Sequence, residues 1–276
     1  MSSREMQSRL WGAEPAGWAS HEAKHAPLFT AMMEAASIGA GSRVLDIGCG
    51  AGHSTALIHG AGADVTGVDA ASGMIDHASR TFGHVDFQVG DIEELAFEDG
   101  EFDVVFAANS VQYAAELGNA LRELQRVCRP DGRIVAGLFG PPETVAFKPV
   151  LDALGPFMPP PPPNALPGGP FRLSGPGVLE AAMTDAGIDV VDTGEADCPF
   201  TYESWDDFWR GNRAAGPTQL AISLAGLDAV EQATRAAVEP FVGPGGAISF
   251  EPNAFVFVVG RIPPSTAPAA GDGHLR

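Results

Sequence analysis

The chain is short of lysine, cysteine and long apolar runs, and each shortage excludes something. Its only lysines are Lys24 and Lys148, and its arginines are scattered, so no basic patch is present that could follow a phosphate backbone. Sixteen Lys and Arg stand against 35 Asp and Glu, a net charge of −19, and a chain that acidic repels nucleic acid and anionic membranes. The three cysteines, Cys49, Cys128 and Cys198, lie far apart in no metal-ligand spacing. They exclude a disulfide framework or zinc knuckle and fit a reducing cytoplasm. No apolar run approaches the roughly 18 residues a membrane-spanning helix needs, and the polar stretch Met1 to Leu10 does not read as an export signal. The expectation is a cytoplasmic protein with no nucleic-acid partner and no membrane insertion, either a monomer or a homodimer.

What is present is enough to fold: 276 residues, 45% hydrophobic, bury a core without staples, as one large domain or one domain with an insertion. Short β-rich runs alternate with helical patterns from 43 to 139, the mark of a parallel sheet covered by helices on both faces. The strands read as Arg43 to Ile47, Asp64 to Val68, Val85 to Val89, Phe102 to Ala107 and Arg133 to Phe139. A helix is expected over Ala115 to Arg129, with Pro130-Asp131-Gly132 as its stop. A proline-rich stretch, Pro156 to Pro170, then excludes helix and inner strand and reads as a stiff connection. Helices over Gly177 to Ala186, Ser204 to Arg213 and Asp228 to Phe241, with strands at Ile188 to Val191 and Ala254 to Gly260, complete the pattern.

The chemistry concentrates at strand ends. Val44-Leu45-Asp46-Ile47-Gly48-Cys49-Gly50-Ala51-Gly52 is a buried strand entering a glycine turn, with a helix after it. Such a turn admits a ligand to the backbone. Asp46, just ahead of the glycines, would oppose a pyrophosphate but suit ammonium and sulfonium charges, which disfavours a nicotinamide dehydrogenase. Asp69 ends the second strand, where a carboxylate can accept two ribose hydroxyls. Asp91 follows the third strand, in reach of an adenine amino group, and Asn109 follows the fourth. Cys49 reads as packing rather than a catalytic thiol.

These segments resemble the class I S-adenosylmethionine-dependent methyltransferases, in particular the branch of ubiquinone and menaquinone biosynthesis and small-molecule enzymes. The resemblance rests on VLDIGCGAG at 44 to 52, VTGVDAASGMI at 65 to 75, GDIEELAFEDGEFDVV at 90 to 105 and LRELQRVCRPDGRIV at 121 to 135. It implies a Rossmann-like α/β fold: a seven-stranded sheet, mostly parallel, whose antiparallel last strand lies between the fifth and sixth, plus a helical lid and cap. S-adenosyl-L-methionine is the implied cofactor. Asp46, Gly48, Gly50 and Gly52 would surround its methionine part with Asn109 beside them, Asp69 with Ala70 and Met74 would meet ribose and adenine, and Asp91 and Ile92 would meet adenine. The implied reaction is methyl transfer to an O, N or C nucleophile of a small, apolar or cyclic metabolite. The alternatives are another reaction on the same cofactor, such as cyclisation or decarboxylation, or a non-catalytic partner subunit.

The chain departs from this branch after the fourth strand. Many relatives carry one or two histidines there, whereas this chain reads Asn109-Ser110-Val111-Gln112-Tyr113, so Tyr113 could serve as base only with a lowered pKa. His25 is the other candidate base. His21-Glu22-Ala23-Lys24-His25 matches a zinc-protease pattern, but Pro27 interrupts the helix and no third ligand stands at a recognised spacing, so no metal is expected. Trp11, Trp18, His21 and His25 could line a lid over the cofactor, or serve as core and solvated face. Leu28, Phe29, Met32 and Met33 would pack that lid on the sheet. The cluster Tyr202, Trp205, Phe208 and Trp209 fits a core or an apolar acceptor wall equally. The expected division is an N-terminal lid (1–41), the cofactor core (42–140), a Pro-rich connection and return to the sheet (141–198), a helical cap insertion (199–250), the last strand (251–262) and a disordered tail (263–276).

Overall fold

A computed structural model describes residues 3–160 and 169–264. Three helices come first: α1 (Ser3–Trp11), α2 (Pro15–Glu22) and α3 (Ala26–Ala35). The alternating core follows as β1 (Arg43–Ile47), α4 (His53–Gly60), β2 (Asp64–Asp69), α5 (Ser72–Thr81), β3 (Asp86–Val89), β4 (Phe102–Ala108), α6 (Leu117–Val127) and β5 (Cys128–Phe139). After it come α7 (Lys148–Asp152), α8 (Val178–Asp185), β6 (Asp189–Asp197), β7 (Phe200–Tyr202), α9 (Trp205–Arg213), α10 (Gly216–Ala225), α11 (Leu227–Val238), β8 (Ile248–Phe250) and β9 (Ala254–Arg261). The large sheet has the order β3-β2-β1-β4-β5-β9-β6. Strands β1 to β5 run parallel, and β9 is antiparallel to both β5 and β6. The expected Rossmann-like sheet with an antiparallel strand between fifth and sixth is therefore the observed one.

Strand alternation sends successive side chains to opposite faces. Val44, Val104, Phe106 and Val135 enter one apolar layer with Leu28, Met32 and Ile58, and Leu45, Val105, Ala107 and Ile134 enter the other with Leu121, Leu124 and Leu179. Each fully buried Leu contributes roughly 1.5–3 kcal/mol. The switch of strand order lies beside β1, whose neighbours are β2 on one side and β4 on the other, and such a point is where open α/β sheets form a ligand crevice.

Several boundaries differ from expectation for identifiable reasons. The helix expected over Ala115 to Arg129 ends at Val127, because Cys128 already pairs with Phe102 of β4. Helices α7 and α10 were not anticipated: each begins with a proline at its first or second position, where the missing N–H costs nothing and the fixed φ favours a helix start. The segment between β6 and β9 holds a two-stranded sheet, β7 with β8, as well as its three helices. Most of the expected proline connection (161–168) and of the expected tail (265–276) lies outside the described residues.

Candidate active site

The turn after β1 is built from left-handed glycines. Gly48, Gly50 and Gly52 have φ of 73°, 55° and 94°, a region that side chains with a Cβ rarely enter. The crowding around two of them comes from the protein itself: a Cβ on Gly48 would stand 2.4 Å from Ser110 Cβ, and one on Gly50 would stand 2.4 Å from the Glu22 carboxylate. Gly48 and Cys49 donate their N–H groups to the Val68 carbonyl at the end of β2. Asp69 closes the turn from the other side, accepting from Gly50 N at 3.0 Å and Ala71 N at 2.8 Å. Burial pushes its carboxyl up to about 6 against the lowering effect of those two N–H donors.

Around this turn lies a cavity of about 150 Å³. Gly48, Gly50, Asp69, Ala70, Met74, Asp91, Ile92 and Asn109 stand in its wall, together with His25 and Tyr113. Asp46 and Gly52 do not. Alternation places the Asp46 side chain on the same sheet face as Val44, beneath α4, where its Oδ2 accepts from Ser54 Oγ at 2.6 Å and Thr55 Oγ1 at 2.7 Å. Buried there, its carboxyl rises to about 7. The expected role beside a ligand's cationic end is thus not where its side chain lies; it fastens α4 to β1. Gly52 is the residue before α4 and packs against Ala78, Phe82 and Phe87.

A carboxylate that the strand-end motifs do not include stands in front of the turn. Glu22, at the end of α2, accepts from Ala51 N at 2.7 Å with Oε2 and from His53 N at 2.9 Å with Oε1, and it lines the cavity. The N-terminus of α4, the place where a dinucleotide fold would seat a pyrophosphate, is therefore already occupied by the protein's own anion. The one sequence signal for it is its place in the His21 to His25 motif, where an acid stands between the two histidines. Four carboxylates, Glu22, Asp69, Asp91 and Glu93, stand in the cavity wall, with no lysine or arginine among its described residues. Such a wall selects a cation or a donor-rich ligand and rejects a phosphate.

The N-terminal helices form the outer wall. Trp11 and Trp18 meet edge to face at 4.8 Å, and Trp11 meets Tyr113 at 5.5 Å. Gly12 lies so close to α5 that a Cβ on Gly73 would fall 2.4 Å from its carbonyl. Arg213 of α9 grips Glu14 through Nε and Nη2, and Lys24 donates to the Thr201 carbonyl. His21 does not reach the cavity; its Nδ1 pairs with the Tyr202 hydroxyl at 2.8 Å, between Phe147 and Phe200. His25 Nδ1 faces the Glu22 carbonyl at 3.2 Å. A carbonyl can only accept, so Nδ1 carries the proton and Nε2 the lone pair. The Nδ1 atoms of both histidines are thus engaged within the protein, and of the two only His25 lines the cavity. Burial holds His25 down to about 4, so its ring is neutral at physiological pH. Tyr113 moves the wrong way for a base: burial pushes its phenol up to about 12.

Tyr202, Phe208 and Trp209 are buried, and Trp205 packs against them. None of the four lines the cavity, which decides between the two readings of that cluster in favour of core.

Comparison with known proteins agrees with this architecture. Residues 45–136 match the family described as methyltransferase domain. The malonyl-(acyl-carrier protein) O-methyltransferase of Yersinia pestis is 40% identical over 92 residues, 33% of this chain and 34% of that protein. The demethylmenaquinone methyltransferase of Beutenbergia cavernae is 34% identical over 118 residues, 43% of this chain and 49% of that one. The crystal structure of the YcgJ protein from Bacillus subtilis superposes with a TM-score of 0.58 at 25% identity, covering 86% of this chain and 98% of that one. The chain spans between about a fifth and a half of the length of the curated relatives it matches. The sheet order and the neighbouring structures define a class I methyltransferase fold. Within that fold, residues 45–136 are the part that matches the methyltransferase domain.

Proposed function

We propose that the chain transfers a methyl group from S-adenosyl-L-methionine to an oxygen, nitrogen or carbon of a small, apolar or cyclic metabolite. The observation that carries this is the cavity wall itself: carboxylates and glycine backbone, no lysine or arginine, and the α4 N-terminus filled by Glu22. The donor set fits the cofactor. Each Asp69 oxygen takes one N–H and keeps a lone pair, enough for two ribose hydroxyls. Asp91, Ile92, Ala70 and Met74 would hold the adenine, and Gly48, Gly50 and Asn109 the amino-acid part. Ser110 Oγ, buried without a partner, stands in the same wall. When bound, S-adenosylmethionine supplies an electrophilic methyl group on a sulfonium.

The remaining work falls to side chains. Trp11, Trp18 and Tyr113 surround the cavity with aromatic rings that exclude water and favour a cation. They would hold the acceptor's nucleophile in line with the methyl group, an effect of position rather than of strong base chemistry. His25, with its proton fixed on Nδ1, would present Nε2 to take up the acceptor's proton. As a weak base it suits an acceptor whose proton is already acidic. The name of one relative, demethylmenaquinone methyltransferase, supports a small, cyclic acceptor. The three buried free cysteines support a reducing cytoplasm as the place of work, and the net charge of −19 supports a partner other than nucleic acid. No helix among the described residues is long and apolar enough to cross a membrane.

The test is incubation of the purified chain with methyl-labelled cofactor and a fractionated small-molecule extract, followed by mass spectrometry. Labelled product in a small-molecule fraction is expected. Cofactor bound but no label in any product would overturn transfer in favour of a cyclising, decarboxylating or non-catalytic role.

A further inference from the structure

We propose that Glu22, carried on the lid helix α2 rather than on the sheet, is the carboxylate that receives the cofactor's ammonium group, with the Ser110 hydroxyl as its neighbour in that subsite. This rests on the S-adenosylmethionine reading above. Asp46, the acid that the strand motif offers for this role, is committed to Ser54 and Thr55 beneath α4 and does not stand in the cavity wall. Glu22 does stand there, with its carboxylate against the outer side of Gly50.

The valences of Glu22 are divided unevenly. Oε1 takes the His53 N–H and lies 3.3 Å from His53 Nδ1. Oε2 takes only the Ala51 N–H. A carboxylate oxygen has two acceptor sites, so Oε2 keeps one for a ligand. A second group, independent of the carboxylates, also asks for a ligand. Ser110 is buried, its Oγ has no partner, and it stands in the same wall, 3.3 Å from where a Gly48 Cβ would be. An orphaned buried hydroxyl is costly unless something fills its place. An ammonium, with three donors, can satisfy the free Glu22 oxygen and the Ser110 oxygen together. The consequence is that the amino-acid subsite is complete only when the N-terminal helices lie over the sheet, so the lid itself reads the amino-acid end of the ligand, which methylthioadenosine lacks.

The test is calorimetric titration of wild type, Glu22→Gln and Ser110→Ala with two probes. One is S-adenosylhomocysteine; the other is methylthioadenosine, which keeps the adenosyl thioether and lacks the amino acid. Glu22→Gln keeps an acceptor for one backbone N–H and removes the charge, and circular dichroism confirms its fold. Affinity for S-adenosylhomocysteine is expected to fall about ten- to a hundredfold in Glu22→Gln, the scale of a charge-assisted hydrogen bond, and severalfold in Ser110→Ala. Affinity for methylthioadenosine stays within about twofold. Equal losses for both probes would make Glu22 a structural latch and overturn the assignment, as would no loss for either. Wild type that binds neither probe would instead overturn the S-adenosylmethionine reading on which the assignment stands.

Discussion

The Glu22 carboxylate lies 2.7 Å from the Ala51 N–H, joining the last residue of α2 to the turn that precedes α4. This bond crosses from the lid to the sheet and is seconded by the bond to His53 N. Each end of it does something for the other: the helix N-terminus stabilises the buried anion, and the anion satisfies the His53 N–H that the helix start leaves open together with the Ala51 N–H of the turn before it.

Glu22→Ala should therefore destabilise the protein by about 1–3 kcal/mol, the cost of leaving buried donors unpaired. The loss would appear in urea unfolding as a lower midpoint with an unchanged slope. A midpoint equal to wild type would show that water replaces the carboxylate at no cost.

Asp46 gives a pH dependence of unusual sign. Its carboxyl is raised by burial from 3.8 to about 7, so between those values the folded protein holds a proton that the unfolded chain has released. The associated stability is present below the unfolded value and is lost as pH rises through the folded one. Asp46→Asn keeps an oxygen for Ser54 and Thr55 and removes the titration. Relative to that variant, wild type should lose up to about 1.4 kcal/mol per pH unit across the window. Urea unfolding at pH 5 and pH 8 measures it, and a constant difference between the two proteins would contradict the placement of Asp46.

The aromatic residues of the cap and of the lid should separate cleanly. Phe208 is fully buried away from the cavity, so Phe208→Ala should cost about 3–5 kcal/mol and leave ligand affinity of the folded fraction unchanged. Trp18 lines the cavity, so Trp18→Ala should weaken S-adenosylhomocysteine binding severalfold or more. Thermal melts with and without ligand separate the two effects. A ligand defect in Phe208→Ala would return the cap cluster to the acceptor wall.

His25 and Tyr113 differ in what pH can do to them. The lowered pKa of His25, about 4, leaves its base form populated from pH 5 upward, so kcat should be flat from there to neutrality and fall only in stronger acid. His25→Gln should lower kcat by about a hundredfold or more if the acceptor's proton passes to it. Tyr113→Phe should stay within about tenfold of wild type, since the phenol near 12 remains protonated. A rate that rises with an apparent pKa near 9 in wild type and not in Tyr113→Phe would reverse these roles.

The core sheet was legible because local signals agreed there: β-rich runs, helical periods and glycines at the strand ends all pointed to one topology. Asp69 and Asp91 of the cavity wall were legible for the same reason, each being the polar residue that ends or follows an apolar strand. Asp46 misled because its position in the motif was read without the alternation that turns it beneath α4. Glu22 was missed because its partner, Ala51, is 29 residues away in sequence and a backbone N–H leaves no trace in the side-chain pattern. The fate of Phe208 and Trp209 depended on which elements cover them, which a single helical stripe does not reveal.

The central claim is that the cavity at the ends of β1, β2 and β4 is an S-adenosylmethionine site. Calorimetric titration of S-adenosylhomocysteine, with NAD in a parallel experiment, tests it most directly. The account predicts one site per chain for S-adenosylhomocysteine, a loss of at least about tenfold in folded Asp69→Ala, and no heat with NAD. Binding of NAD, or S-adenosylhomocysteine affinity indifferent to Asp69, would contradict it.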